Sequence, residues 1–281
     1  MTLKSIGVFV DATPEGEKRV DYAATLARQS GAHLAGIYVA SAVRPEHRSD
    51  YYVVGEKAIR SSRAWQKAAD EIATTLVRRR FEAISARSDL SAEFRVIRRG
   101  GLDEDLILGS LHSDLIVMGQ RELQELPGYP SPDRLLLASG VPILVLPSGW
   151  KSELVGKKIL VAWNASREAR RAVADSLPFL VAAESVTLLV VDANERSTRH
   201  GEEPGADIAL HLARHGAHVE VEQVSSRGSA VADVIMSFAA DHGMDLIVIG
   251  AYSRARSAEM VFGGVTRTLL KQASIPVLMS R

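Results

Sequence analysis

The hexapeptide DLIVMG at Asp114–Gly119 returns as DLIVIG at Asp245–Gly250. Behind each copy lies a second echo, SGVPILVLP (Ser139–Pro147) answering ASIPVLMS (Ala273–Ser280). Ahead of each lies a third, SIGVFVDATPEGEKRVDYAATLA (Ser5–Ala27) answering KILVAWNASREARRAVADSLP (Lys158–Pro178). Three matches in one order require a duplicated unit of roughly 125–150 residues, too long for a solenoid repeat. The 281-residue chain therefore divides into two domains, 1–148 and 156–281, with the polar stretch PSGWKSELVG between them. Each is large enough to bury about two-thirds of its unfolded surface. The copies differ in length at two places. Asp11 to Asp114 spans 103 positions and Asn164 to Asp245 only 81, so the first copy carries an extra 22 residues near 51–80. From Asp114 to Pro142 is 28 positions against 31 from Asp245 to Pro276, a three-residue deficit in the first copy.

Within each unit, short apolar runs (Ile6–Val10, Asp114–Met118, Ile159–Val161, Val186–Val191, Leu246–Ile249) suit strands buried on both faces of a parallel sheet. Between them run helical patterns. Trp65, Ala69, Ile72 and Leu76 step by four, three and four, one face of a helix. Thr13 before Pro14, and Ser166, are helix-start signals. Five strands alternating with four helices, twice, predict an α/β fold: two tandem Rossmann-like, doubly wound domains, each with a five-stranded parallel sheet. The last strand of each unit, Pro142–Leu146 and Pro276–Met279, is short and apolar. An exposed apolar edge is a liability, so these two strands are expected to face each other as a pseudo-two-fold pair inside one chain. A further homodimer stays open, with no residue to mark its surface.

Charge and composition narrow the function. The 34 basic and 34 acidic residues balance overall, and 19 against 19 within residues 1–150, so no net positive field points to nucleic acid. There is no cysteine, which removes thiol chemistry and cysteine zinc sites and fits a reducing, cytoplasmic setting. No apolar run approaches the ~18 residues of a membrane span. His211 and His215 stand one helical turn apart with His218 nearby, but no Glu lies between them; a solvated helix face ending at Gly216 is the simpler reading. Arg78–Arg80 and Arg98-Arg99 are balanced by neighbouring acids and read as surface. No nucleophile with its base, Walker A loop or G-x-G-x-x-G occurs, so no catalytic or metal-ligating residue is assigned.

In a doubly wound sheet the ligand lies past the carboxyl ends of the strands, where strand order reverses. The turns after the first and fourth strands meet there. In the second unit these are Trp163–Ser166 and the long loop from Gly250 to Thr266. Gly263 and Gly264 would free backbone N–H groups, the following helix (265–272) adds a partial positive charge, and Thr266 adds a hydroxyl. A tight turn before a helix is the competing reading. Arg254 and Arg256 lie inside this loop, either as phosphate contacts or as exposed loop residues.

On these residues the chain resembles the universal stress protein family in its tandem two-domain form. ATP-binding members carry G-x-x-G, nine residues, then G-S/T between the fourth strand and last helix. Here Gly250-x-x-Ser253, nine residues, then Gly263-Gly264-Val265-Thr266 has that length, with Ser253 in place of the second glycine and Gly264 in place of the hydroxyl residue. The family's acidic residue after the first strand is matched by Asp11 and replaced by Asn164 in the second unit. For Asp11 a helix-capping role is the alternative. The first unit's loop, GQRELQELPGYPSPDR, is short and lacks the paired glycines, and Pro127, Pro130 and Pro132 remove N–H donors. The resemblance thus implies a stress-linked regulatory protein with an adenine nucleotide (ATP, ADP or AMP, with or without Mg) in the second domain. Its phosphates would lie on Gly250, Ser253, Gly263, Gly264, Val265 and Thr266, with the base near Ala162, Asn164 and Val191. Two alternatives stand beside it: a slow ATPase or phosphotransferase, and a scaffold with vestigial sites.

Overall fold

The structure is a computed structural model that describes residues 2–40, 56–98, 104–120, 131–150, 155–193, 202–252 and 264–281. The first half runs β1 (Ser5–Val10), α1 (Pro14–Ser30), β2 (His33–Ala40), α2 (Glu56–Arg87), β3 (Ala92–Arg98), α3 (Glu104–Ser110), β4 (Leu115–Gly119), α4 (Pro132–Ser139) and β5 (Ile143–Leu146). The second runs β6 (Lys158–Ala162), α5 (Arg167–Ala182), β7 (Ser185–Val191), α6 (Ala206–Arg214), β8 (Val219–Val224), α7 (Val231–Asp241), β9 (Leu246–Gly250), α8 (Gly264–Gln272) and β10 (Val277–Ser280). The α/β alternation read from the repeat is therefore present twice.

The strands form one sheet of order β3-β2-β1-β4-β5-β10-β9-β6-β7-β8. Every neighbouring pair is parallel except β5 with β10, which pair antiparallel with Leu144 opposite Leu278. The two apolar terminal strands thus cover each other at the centre of the sheet, as their exposure would otherwise demand. Helices bury both faces, which is why the strands read as unbroken apolar runs. Ile6, Val8 and Val10 belong to the core that α1, α2, α5 and α6 cover on one face of the sheet, while Phe9 belongs to the core that α4, α7 and α8 cover on the other. The same alternation continues in β4, with Leu115 and Val117 on the first face and Ile116 and Met118 on the second. No helix among the described residues is long and apolar enough to cross a membrane.

The repeated aspartate has a job in the fold. Asp114 accepts the N–H groups of Lys4 (2.7 Å) and Ser5 (2.9 Å), and Asp245 accepts those of Gly156 (2.8 Å), Lys157 (2.9 Å) and Lys158 (3.3 Å). Each carboxylate satisfies orphan donors where the first strand of its half begins, and so sets that strand's register against the fourth.

The 22 extra residues of the first half lengthen α2 to 32 residues, against nine in α6. Its carboxyl-terminal part is seated by Val77, Phe81 and Ile84. Phe81 fits because Gly36 leaves the space on β2: a Cβ there would stand 2.7 Å from the Phe81 ring. The stripe Trp65, Ala69, Ile72 and Leu76 does share one face of α2, but that face turns to solvent. Asp245→Ala should lower stability by about 2–3 kcal/mol, the scale of hydrogen bonds to a charged acceptor, with urea unfolding as the measurement.

Candidate functional site

Strand order reverses between β1 and β4 in the first half and between β6 and β9 in the second. The turns beyond those strands are built alike. Thr13 caps α1, its hydroxyl accepting the Gly16 N–H at 3.0 Å, and Asp11 in turn accepts the Thr13 N–H at 2.8 Å. Ser166 caps α5, accepting the Ala169 N–H at 3.1 Å, and donates its hydroxyl to Asn164 Oδ1 at 2.7 Å. An Asx turn leading into a hydroxyl cap is the local reason for both sequences.

The two halves then part company over charge. Asp11 is buried and bound by the guanidinium of Arg19, also buried, whose Nε donates to the Phe9 carbonyl at 2.8 Å. In the second half Asn164 stands in place of Asp11, and Ala172 occupies the position of Arg19 on the capped helix. A buried carboxylate without a partner is costly, so loss of the acid and loss of the base go together. Asp11 is therefore more than the helix cap considered from sequence: it is one half of an internal ion pair that supports the cap, and its carboxylate is already engaged.

Of the expected nucleotide contacts in the second half, Ala162, Val191 and Val265 pack on one apolar cluster, on the α7–α8 face. Gly264 opens α8, exposed, with nothing among the described residues within 4 Å of where its Cβ would be, and Thr266 is buried in the first turn. Gly250 has a structural reason of its own. A Cβ there would stand 2.2 Å from the Ala169 nitrogen and 2.4 Å from the Glu168 carbonyl carbon, so this glycine lets β9 lie against the backbone of α5. Ser253, Gly263, Arg254, Arg256, Pro127, Pro130 and Arg99 lie outside the described residues. Tyr252, the last described residue before the loop that leads to α8, has a left-handed backbone (φ 61°).

Three residues not singled out from the sequence border this region. Glu168 is buried in the first turn of α5; burial raises its carboxyl, but Arg167 (2.6 Å), its own backbone N–H and Ser166 outweigh that and hold it below the usual range. Asp192, with φ 55°, accepts the Ser226 N–H at 2.7 Å and ties the ends of β7 and β8 together. Tyr252 is buried; burial pushes its hydroxyl up, Asp133 of α4 adds to the rise and Arg281 opposes it. An acid in a first helical turn and an acid after a strand are too common to signal a site. His211 on α6 and His215, which caps that helix's carboxyl end, stand edge-to-face with ring centroids 4.8 Å apart, and no group of three metal-ligating residues occurs among the described residues.

Comparison with known proteins agrees with this layout. Residues 156–281 match the Universal stress protein family. A universal stress protein from Archaeoglobus fulgidus DSM 4304 superposes with TM-score 0.70 at 16% identity, over 99% of this chain and 96% of that one. A universal stress protein from Pseudomonas aeruginosa UCBPP-PA14 gives TM-score 0.58 at 16% identity, over 98% and 92%. A protein of unknown function from Pseudomonas aeruginosa PAO1 gives 0.56 at 17%, over 98% and 92%. No curated protein matches the chain. The resemblance read from the motifs is borne out over the matched residues, 156–281, and the α/β fold expected of both halves is shared with these structures over nearly the whole chain.

Two outcomes follow for urea unfolding. Arg19→Ala should cost about 3–5 kcal/mol by stranding the buried Asp11, and adding Asp11→Asn should restore most of the loss by recreating the Asn164–Ala172 arrangement. Gly250→Ala should cost about 1–3 kcal/mol or more from overpacking against α5, whereas Gly264→Ala should leave stability within about 0.5 kcal/mol.

Proposed function

We propose that this chain is a stress-linked regulatory protein that binds an adenine nucleotide in its second half. The observation that carries the reading is the open backbone at Gly264, at the N-terminus of α8 and at the end of the loop that leaves β9 beside Asn164. Backbone N–H groups and the helix dipole there suit an anion. The apolar surface of Ala162 and Val191 suits an adenine, Asn164 supplies an uncharged hydrogen-bonding group for the ribose, and Thr266 a hydroxyl for phosphate. The first half is proposed to be nucleotide-free, because Asp11 is held by Arg19 and Pro132 opens α4 without an N–H. Ser253 and Gly263 complete the proposed cradle.

A scaffold with vestigial sites is the competing reading, and the packing role of Gly250 favours it, since that glycine needs no ligand to explain it. The 260/280 nm absorbance and mass spectrum of purified protein separate the two, and turnover of added ATP separates a binder from a slow ATPase.

The direct test is Gly264→Asp. An aspartate in the first turn of a helix is tolerated by the dipole and here meets no neighbour among the described residues, so the melting temperature should hold. Facing a phosphate at about 4 Å in an effective dielectric near 20, it adds roughly 4 kcal/mol of repulsion, about a thousandfold in affinity. Thr266→Ala should cost less, about 1.5–3 kcal/mol. Calorimetric titration with ATP measures both. Undiminished binding by Gly264→Asp would move the phosphate elsewhere and put the scaffold reading first.

A further inference from the structure

The helix whose amino end carries the proposed phosphate site is finished at its other end by the opposite half of the molecule. α4 of the first half closes itself. Gly140 turns left-handed (φ 67°) and returns its N–H to the Leu136 carbonyl, and the Ser139 hydroxyl accepts the Val141 N–H at 3.2 Å. The repeat puts Ala273 and Ser274 in those two places after α8. Ala273 has no hydroxyl to offer, and Ser274 does not take up the left-handed backbone. The Ala273 N–H turns back to the Leu269 carbonyl at 3.0 Å, which leaves the carbonyl of this buried residue as an acceptor at the helix end. The Gln120 side chain meets it from the first half, its Nε2 donating at 3.1 Å. Gln120 is itself fixed: Oε1 accepts the Ser148 N–H at 3.0 Å, and its backbone N–H donates to the Leu146 carbonyl at 2.8 Å. A backbone carbonyl only accepts and a backbone N–H only donates, so the amide fits in one orientation. The brace runs one way. Ala251 holds the place of Gln120 in the second half, with the matching backbone bond to the Ser280 carbonyl at 2.8 Å, and its methyl group offers α4 no hydrogen bond.

We infer, resting on the nucleotide reading above, that Gln120 is a positioning residue for the site in the other half. It fixes where α8 ends, and so where the N–H groups at the amino end of α8 point. A helix of nine residues is about 13 Å long and has little stability of its own, so it moves as one rod and a shift at Ala273 reaches Gly264. Thr266, Leu269 and Leu270 bury its inner face. Apolar burial is non-directional, however, and tolerates a slide along the helix axis that a hydrogen bond at the end does not. The half proposed to be nucleotide-free thereby completes the site of the half that binds.

Three substitutions in the full chain separate the two side-chain bonds. Gln120→Leu removes both. Gln120→Glu keeps an acceptor for Ser148 and sets a carboxylate against the Ala273 carbonyl. Gln120→Lys keeps a donor for Ala273, at a helix carboxyl end that favours a cation. In calorimetric titration the Leu and Glu variants should bind ATP about five- to tenfold more weakly, the scale of one hydrogen bond, and the Lys variant within about twofold of the parent. At about 0.15 M salt a charge one helix length from the phosphates is screened, so the series reads the bond and not the charge. Hydrogen exchange without nucleotide gives a readout independent of binding: the amides of Leu269–Gln272 should exchange faster in the Leu and Glu variants and at the parent's rate in the Lys variant. Undiminished ATP affinity in Gln120→Leu overturns the inference, whatever its exchange. So does a series in which Glu preserves affinity and Lys loses it, since the role then belongs to the Ser148 bond. A parent chain that binds no ATP overturns the nucleotide reading itself and the positioning role with it, and exchange along α8 then decides separately whether Gln120 holds the helix.

Discussion

The pairing of Ile143–Val145 with Val277–Met279 is the contact on which the remaining architecture hangs. Each half alone would end in a four-residue apolar strand with one row of N–H and C=O groups unmet. Joining them antiparallel, in a sheet otherwise parallel, relates the halves by a rotation and sets which side chains must meet across the join. Tyr22 of α1 stands edge-to-face with Trp150 at 5.5 Å, and burial, with Asp245 nearby, raises its hydroxyl well above the usual range. Gln120, just past β4, donates to the Ala273 carbonyl at 3.1 Å and accepts the Ser148 N–H at 3.0 Å. Tyr252, just past β9, sits near Asp133 of the first half. The residue or two after the fourth strand in each half therefore reach the other half.

Divergence between the copies has proceeded by compensated swaps. Charge is one case: Asp11 with Arg19 in the first half, Asn164 with Ala172 in the second. Space is another. In the first half the glycine is on the strand, Gly36, and the bulk comes from the helix as Phe81. In the second the bulk is on the strand, Leu188, and the glycine precedes the helix, Gly205, where a Cβ would stand 2.9 Å from the Leu188 side chain. Close packing tolerates either distribution but not an uncompensated one. Phe81 then anchors the longer α2, so the extra residues of the first half and the glycine of β2 belong to one arrangement.

The repeat, the strand–helix alternation and the helix caps at Thr13 and Ser166 were legible in the sequence because each depends on neighbours within a few positions. The site was legible in part. The loop lengths and glycines pointed to the end of the sheet where Asn164, Gly250 and Gly264 lie. The sequence could not say that Gly250 answers to the backbone of α5, because the atoms that forbid a side chain there lie about eighty positions away. Nothing in the sequence marks Arg19, since only the fold brings it onto Asp11 and the Phe9 carbonyl.

The stripe on α2 shows where the division falls. Periodicity alone determined that Trp65, Ala69, Ile72 and Leu76 share one face of a helix, because 3.6 residues per turn is a local property of the backbone. Which face of that helix meets the core was decided only in three dimensions, by the space at Gly36, the ring of Phe94 and the carboxylate of Glu17. The same holds for the molecule as a whole. Its sequence by itself determined two doubly wound units with apolar terminal strands, since hydrophobic patterning and repeat length are written along the chain. The antiparallel join of those strands, the partner of each buried charge and the face of α2 left in water were decided by tertiary structure, because each depends on groups that meet only after long-range folding.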